Sequence, residues 1–140
     1  SHGKNTFFHG HTYTGNQLVC SVALENINLF KKKHLIGHIQ KTSQTLKQRL
    51  EALQPHKNIG DIRGRGLMYG VELVENKSTQ TPLDIPTVEL IIRRCKENGL
   101  MIRNLENVIT FVPILSMSNK EIKKMVKIFD KALHQTLSKK

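Results

Sequence analysis

The sequence predicts an α+β domain in which helices cover a small, mainly antiparallel sheet. Four segments place apolar residues at the spacing of one helix face, and a glycine-rich segment and two later short runs have the patterns of strands. The resulting order is helix, helix, strand, strand, helix, strand, strand, helix. Such an order is typical of a layered α+β fold whose sheet is buried against helices.

The first two elements are predicted helices. One runs from about residue 16 to 30, and residues 31–34 form a polar break. The second covers about 34–54, and Pro55 is expected to end it because proline cannot continue a helix. Its apolar residues lie near one helix face: Leu35, Ile39, Leu46, Leu50 and Leu53.

Residues 58–74 are predicted to form strands with glycines before and between them. Gly64 and Gly66 invite a dinucleotide-binding interpretation, but the third glycine would fall on Tyr69 and no helix follows. From Leu67 onward the residues alternate as in a strand with one buried face. The glycines suit bends where strands cross closely.

The remaining elements follow from caps and breaks. Residues 75–81 form a polar loop, and a helix is predicted from Asp84 to Asn98-Gly99. Two short strands are predicted at 100–104 and 108–113. Ser118 and Glu121 have the spacing of a capping box that opens the last helix, whose inward residues are Ile122, Met125, Val126, Phe129 and Leu133.

The composition of the 140 residues is that of one globular domain, with 38% hydrophobic residues. No apolar run approaches the roughly 18–20 residues of a membrane-spanning helix, and the N-terminus lacks a signal-peptide pattern. Cys20 and Cys95 both fall in helical segments, which favours buried free thiols in a reducing cytoplasm. We therefore expect a cytoplasmic protein with no membrane partner.

A formal net charge of +11 raises the question of a nucleic-acid partner. The basic residues are spread along the chain, however, and no aromatic pair lies in an RNA-binding strand motif. Solvated helix faces account for most of this charge. A basic α+β nucleic-acid-binding module stays open as an alternative from a different functional class.

The candidate anion site is the loop over residues 7–17, where aromatics and turn formers lead into a helix. Gly10 and Gly15 can take positive φ, and the first N–H groups of the helix attract anions. Thr12 adds a hydroxyl donor, as a phosphate site would need. The same pattern also fits an ordinary helix cap.

Arg103 is the second candidate, because it lies in a strand pattern between Ile102 and Asn104. A guanidinium there can hold a carboxylate with two parallel hydrogen bonds, and the alternative is an exposed strand arginine. No metal site is expected. His2, His9 and His11 form a poor cage without cysteine or carboxylate nearby.

Two runs of the sequence resemble the class III aminotransferases, which use pyridoxal 5'-phosphate. These are Phe-Phe-His-Gly-His-Thr-Tyr-Thr-Gly-Asn at residues 7–16 and Arg-Gly-x-Gly-Leu-Met-x-Gly-x-Glu-Leu at residues 63–73. The resemblance covers residues 7–138 and is greatest to members of the biotin pathway. It implies that residues 7–140 form a C-terminal domain like the small domain of fold-type I transferases. Separately, we expect residues 1–6 to be a tag remnant or disordered.

The resemblance also implies roles for four residues in a homodimer. Thr12, with the backbone around His11, would bind the cofactor phosphate of the other subunit, and Gly10 would lie against the substrate. Arg103 would bind the substrate carboxylate, although Asn104 follows it where the family has proline. Gln17 likewise stands where the family often has proline.

The resemblance finally implies what this chain does not contain. The lysine that holds the cofactor and its acidic partner lie upstream of the loop in the family, so we expect no catalytic residue here. The chain is predicted to be an inactive C-terminal fragment of a transaminase. The parent would move an amino group from S-adenosylmethionine or lysine to 8-amino-7-oxononanoate, and another class III ω-amine or ornithine transaminase is the alternative.

Overall fold

The structure, a computed structural model, describes residues 10–137. Two predictions fall partly or wholly outside this range: the terminal segment 1–6, and the first three loop residues, Phe7, Phe8 and His9. Contacts divide the chain after Leu35 into two compact units. The described elements are α1 (Gln17–Lys32), α2 (Leu35–Glu51), β1 (Ile59–Arg65), β2 (Met68–Asn76), β3 (Thr81–Pro82), α3 (Ile85–Glu97), β4 (Arg103–Leu105), β5 (Val108–Phe111) and α4 (Asn119–Leu137).

The first unit is a capped helix with no buried face. Asn16 is the N-cap of α1, and its side-chain oxygen accepts a hydrogen bond from the Val19 amide at 3.0 Å. The helix extends two residues past the expected end, and His34, at φ +45°, separates it from α2. No residue of α1 is buried, and Leu18 and Val22 are 74% and 63% exposed. The apolar spacing therefore indicated the helix correctly but not a covered face.

The helix α2 buries Thr42, Leu46 and Leu50. It ends at Glu51, three residues before the predicted end at residue 54. The chain leaves the helix through tight turns, in which the Leu53 amide donates to the Leu50 carbonyl at 2.8 Å. Such short bonds satisfy carbonyl groups at a helix end, so the helix stops before proline is reached.

The sheet is antiparallel throughout, which confirms the predicted fold class. Its order is β1-β2-β5-β4, and β3 pairs with the outer part of β2. A tight hairpin joins β1 to β2, with Arg65 opposite Met68. Gly66 takes φ +62° in this turn. A Cβ on Gly64 would overlap the Met68 carbonyl and the Tyr69 ring, so the close strand approach expected from the glycines is present.

The loop expected at residues 75–81 is shorter than predicted. The strand β2 continues through Asn76, and Thr81 and Pro82 return to pair with it. Between them, the Asn76 side-chain oxygen accepts the Ser78 amide at 2.8 Å and closes the turn. The polar composition of residues 75–81 predicted a loop. It did not reveal β3, because a short edge strand whose side chains face water has the same polar composition.

The two last strands are also displaced from the prediction. The strand β4 starts at Arg103 instead of residue 100, and β5 ends at Phe111 instead of Pro113. Arg103 pairs with Thr110, whereas the segments before Arg103 and after Phe111 form no ladder. The chain therefore opens at this end of the sheet, although both segments are apolar enough to resemble strands.

The helices α3 and α4 pack on the sheet around one core. Asp84 caps α3 by accepting the Thr87 amide at 2.9 Å. Ser118 and Glu121 form the predicted capping box, with the Ser118 amide donating to the Glu121 carboxylate at 2.8 Å. Alternate residues of β2 and β5, with Leu67 just before β2, meet apolar residues of the helices in this core: Leu67, Tyr69, Val71, Leu73, Ile109, Phe111, Val88, Ile91, Ile122, Val126 and Phe129.

The two cysteines differ in their exposure to solvent. Cys95 is buried in the core, whereas Cys20 is exposed on α1, so the expectation of two buried thiols is wrong for Cys20. The prediction for Cys20 was wrong because it required α1 to have a buried face.

The lysines of α4 that precede residue 138 are all exposed, as expected for solvated helix faces: Lys120, Lys123, Lys124, Lys127 and Lys131.

Candidate functional site

The loop before α1 consists of two consecutive turns. The Thr14 amide donates to the His11 carbonyl at 3.0 Å, and the Asn16 amide donates to the Tyr13 carbonyl at 3.1 Å. Gly15 lies in the second turn at φ +77°, a conformation that glycine adopts without steric cost. The loop is thus held by its own backbone up to the cap of the helix.

These turns leave Thr12 available for a ligand. The His11 amide donates to the Thr14 hydroxyl at 3.1 Å and is already used. Thr12 is exposed, and within residues 10–137 neither its amide nor its hydroxyl has a hydrogen-bond partner. A hydroxyl and an amide on one turn residue suit a phosphate oxygen, which accepts hydrogen bonds. No described residue has an atom within 4 Å of a Cβ placed on Gly10, so the packing of residues 10–137 does not require glycine there.

Arg103 lies in the second unit, on the sheet face opposite the helices. Register places Arg63, Gly70, Thr110 and Arg103 in one row across β1, β2, β5 and β4. Residues directly opposite one another on antiparallel strands share a face. The glycine and the threonine are small, so the row leaves open space between its two arginines.

The two arginines of this row differ in their partners. Arg63 donates to the Asp61 carboxylate at 2.9 Å and to the Glu72 carboxylate at 2.5 Å. These hydrogen bonds, first to Glu72 and then to Asp61, raise the pKa of the Arg63 guanidinium. Arg103 is exposed, and its guanidinium has no hydrogen bond or ion pair with any residue between 10 and 137. Arg63 is structural, whereas Arg103 is available for an anion.

A cavity of about 580 Å³ opens beside Arg103, where β4 and β5 diverge. Its lining is mainly apolar and includes Met68, Met101, Met117, Met125, Val112 and Ile114. Sequence analysis treated this region as two strands and did not identify the cavity. A signal was present in Leu100-Met101-Ile102, because three consecutive apolar residues cannot all point to one face of a strand. Met101 is 88% exposed.

The described residues form neither a metal-binding cluster nor a membrane-spanning helix. Among residues 10–137, no group of three His, Cys, Asp or Glu side chains is arranged to hold a metal ion. His2 and His9 lie outside this range. In the same part of the chain, no helix has both the length and the apolar character for crossing a bilayer.

Comparison with known families identifies the chain. Residues 2–133 match the family model described as aminotransferase class-III. The chain belongs to the class III aminotransferases. This family uses pyridoxal 5'-phosphate, and the membership confirms the resemblance of residues 7–16 and 63–73.

Individual relatives of this aminotransferase chain include enzymes of the biotin pathway. The adenosylmethionine-8-amino-7-oxononanoate aminotransferase of Staphylococcus aureus is 69% identical over 140 residues, covering 100% of this chain and 31% of the relative. The enzyme of the same name from Methanocaldococcus jannaschii is 41% identical over 82% of this chain and 25% of its own. This chain therefore spans about a third or less of the relatives' length.

Solved structures share the fold of this aminotransferase chain. A crystal structure of the Methanocaldococcus jannaschii adenosylmethionine-8-amino-7-oxononanoate aminotransferase matches with a TM-score of 0.86 and 37% identity, over 94% of this chain and 30% of that one. A thermostable omega transaminase from Pseudomonas jessenii matches with the same TM-score and 29% identity, over the same shares of the two chains. Aminotransferases of both kinds thus contain this α+β arrangement.

The predicted site residues fall into two groups. Gly10, His11 and Thr12 lie together on one loop of the first unit, and Arg103 lies on the sheet of the second unit. Thr12 and Arg103 have free donors of the kind their predicted ligands need. Their roles, and that of Gly10, stay predictions.

Proposed function

We propose that the complete aminotransferase containing this segment transfers an amino group to 8-amino-7-oxononanoate in biotin biosynthesis, with S-adenosylmethionine or lysine as donor. The observation behind the proposal is the 69% identity over all 140 residues to the Staphylococcus aureus adenosylmethionine-8-amino-7-oxononanoate aminotransferase. The segment, residues 7–140, would form the C-terminal part of the enzyme.

The cofactor phosphate is assigned to Thr12, and the adjoining His11 backbone, whose amide donates to the Thr14 hydroxyl, would hold the turn that presents it. Pyridoxal 5'-phosphate supplies an electron sink that makes the amino group transferable. The Thr12 hydroxyl and amide would donate hydrogen bonds to a phosphate oxygen. The turn that bonds Thr14 to the His11 carbonyl would hold these donors in place. Gly10, whose Cβ position is open space, would leave room for the substrate.

The substrate carboxylate is assigned to Arg103. An arginine can bind a carboxylate through two parallel charge-assisted hydrogen bonds, which determine orientation as well as affinity. The Arg103 guanidinium is exposed and uncommitted to the residues between 10 and 137, unlike Arg63 in the same row. Its position would set which end of the keto acid faces the reacting centre.

A homodimer in the cytoplasm completes the proposal. The helix α1 has apolar side chains over most of its circumference and buries none of them in this chain. A wide apolar stripe on a helix is normally buried against another element, so we expect the apolar side of α1 to be covered in the dimeric enzyme. The phosphate loop just before it would then serve the cofactor of the other subunit.

The reactive lysine of the family lies upstream of the loop that corresponds to residues 7–17. We therefore expect the 140-residue chain to have no transaminase activity of its own. Sustained amino transfer by this chain alone would contradict the proposal. The chain's own residues would bind and orient, and the lysine and acidic partner would come from elsewhere in the complete enzyme.

The visible absorption spectrum of the complete enzyme tests the proposal. A yellow protein whose colour bleaches on addition of S-adenosylmethionine would support both the cofactor and this donor. Colour that bleaches with lysine instead would select the other donor. A protein that stays colourless with added cofactor would overturn the proposal.

A second candidate function is transamination of another ω-amine. The Pseudomonas jessenii omega transaminase has a TM-score of 0.86 to this chain, so the same segment occurs in enzymes of that kind. A panel of amine donors and keto acceptors separates the two. Preference for 8-amino-7-oxononanoate over short ω-amine products favours the biotin-pathway assignment, and the reverse preference favours the second candidate.

A further inference from the structure

Two histidines meet where the turn between α2 and β1 contacts the end of α4. The rings of His56 and His134 lie edge to face, and their centroids are 5.1 Å apart. His56 lies in the turn, and His134 lies in the last turn of the helix. Both residues belong to the second unit, although they are far apart in the sequence. The contact therefore joins the start of the sheet to the end of the last helix.

The hydrogen bonds of this turn require a neutral His56. The Asn58 amide donates to His56 Nδ1 at 3.1 Å, so that nitrogen is an acceptor. A neutral imidazole has one acceptor nitrogen, whereas an imidazolium has two donors and no acceptor. Asn58 in turn anchors the chain to β2, because its side-chain amide donates to the Val74 carbonyl at 2.9 Å and its own carbonyl accepts the Val74 amide at 2.9 Å. A proton on Nδ1 would break a hydrogen bond at this anchor.

Most of the groups around His56 also oppose its positive charge. His56 is half-buried, and this burial, followed by the neighbouring His134, lowers the pKa of the His56 imidazole. Lys57 and Lys77 act in the same direction, and Asp130 acts in the opposite one. The Asp130 carboxylate already pairs with His134, whose Nδ1 lies 3.1 Å from Oδ1. The surroundings of His56 therefore favour the neutral ring that the hydrogen bond from Asn58 requires.

We propose that His56 and His134 form a pH-sensitive contact, which holds the turn before β1 against α4 while His56 is neutral and releases it when His56 is protonated. Protonation removes the acceptor of the Asn58 amide and places a positive charge beside His134, which is itself positive in acid. The charges of Lys57 and Lys77 add to the repulsion. The inference goes beyond the proposed function, since the contact involves neither Thr12 nor Arg103.

The direction of the pH dependence follows from the lowered pKa of His56. Its ordinary value is about 6.5, and the folded chain holds it below that value. The contribution of the contact to stability is therefore fully present above about pH 6.5 and is lost as the pH falls through the pKa of the folded state. Acid should open the turn locally before it unfolds the domain.

Hydrogen–deuterium exchange of the complete enzyme tests the proposal, because it reports local opening of the backbone. Exchange would be followed from pH 8 to pH 4.5 and expressed as protection relative to unstructured peptides, which removes the pH dependence of the exchange chemistry itself. Peptides that cover residues 53–60 should lose protection about threefold to tenfold in acid, as expected for the loss of one hydrogen bond. The midpoint of this loss should lie below about pH 6.5.

Three variants assign the effect to the two histidines. His56→Asn places a carbonyl oxygen near the position of Nδ1 and does not titrate, so it should keep the protection of residues 53–60 and abolish its loss in acid. His134→Gln removes a group that disfavours the His56 cation, so it should move the midpoint towards about pH 6.5. His34→Asn is the control, since His34 is exposed at φ +45°, which asparagine tolerates. It should leave the profile unchanged.

Three results would overturn the proposal. The first is constant protection of residues 53–60 down to pH 4.5, and the second is the same pH profile in His56→Asn as in the unmodified enzyme. The third is an unshifted midpoint in His134→Gln, which decides the question by itself if His56→Asn does not fold.

Discussion

Thr110 lies opposite Arg103 across β4 and β5, and its hydroxyl donates a hydrogen bond to the Arg103 carbonyl oxygen at 3.1 Å. This contact holds the Arg103 backbone and leaves the guanidinium available. At the other end of the same row, Arg63 is held by Asp61 and Glu72. One row of the sheet thus contains a structural arginine and an arginine open to ligands, a difference that residue type alone does not reveal.

Replacing Arg103 should impair substrate binding in the complete enzyme. Arg103→Gln removes a charge-assisted contact worth about 1.5–3 kcal/mol, which corresponds to a rise of about tenfold to a hundredfold in KM for the keto acid. Steady-state kinetics would measure it. Arg93→Gln is the control and should leave KM unchanged. An unchanged KM in Arg103→Gln would mean that Arg103 is an exposed strand arginine with no role in substrate binding.

Replacing Thr12 should weaken cofactor binding in the complete enzyme. Thr12→Val keeps the shape of the side chain but removes the hydroxyl, and a hydrogen bond to a charged group is worth about 1.5–3 kcal/mol. The affinity for pyridoxal 5'-phosphate, measured by absorbance titration of the apoenzyme, should fall at least about tenfold. Ser21→Ala, on exposed α1, should have no effect, and equal affinities in both variants would contradict the assignment.

Two glycines should respond oppositely to alanine. A Cβ on Gly64 would overlap the Met68 carbonyl, so Gly64→Ala should destabilise the fold by about 1–3 kcal/mol or more. Gly37 lies in α2 with nothing within 4 Å of its Cβ position, and Gly37→Ala should stabilise by about 0.5–1 kcal/mol. Urea denaturation followed by circular dichroism measures both, and similar values for the two would show that the hairpin is looser than described.

The two cysteines should differ in reactivity. Burial raises the pKa of the Cys95 thiol to about 11, and because the thiolate is the nucleophile, Cys95 should not react with a thiol reagent at pH 8 in the folded chain. Cys20 is exposed and should react at once. Ellman titration should find one thiol in the native chain and two in denaturant. Two fast thiols in the native chain would contradict the core assignment.

The capping box at the start of α4 should make the stability of the fold depend on pH. Hydrogen bonds from the Ser118 side chain and backbone lower the pKa of Glu121. The lowered value means that this stabilisation is present above the unfolded pKa of about 4.3 and is lost as the pH falls through the folded pKa. Ser118→Ala should therefore lower the melting temperature at pH 7 more than at pH 3. An equal effect at both pH values would contradict this linkage.

Much of the fold could be predicted because its signals are local. Asn16, Asp84 and Ser118 cap helices close to where the sequence placed them, since a cap needs only a side chain and the next few amides. Alternation along β2 likewise indicated which of its residues are buried. Strand ends were less certain, because β4 begins at Arg103 only where β5 offers a partner.

The sequence by itself determined the family, the four helices and every antiparallel strand of the described fold except β3, and it singled out Thr12 and Arg103. Only the tertiary structure decided that Arg63 is paired while Arg103 has no partner among residues 10–137, and that Met68, Met101, Met117 and Met125 meet in one cavity. Helical and strand periods reflect neighbours within a few residues. Ion pairing and cavities depend on residues far apart in the chain, whose meeting is set by strand register and by where two strands diverge.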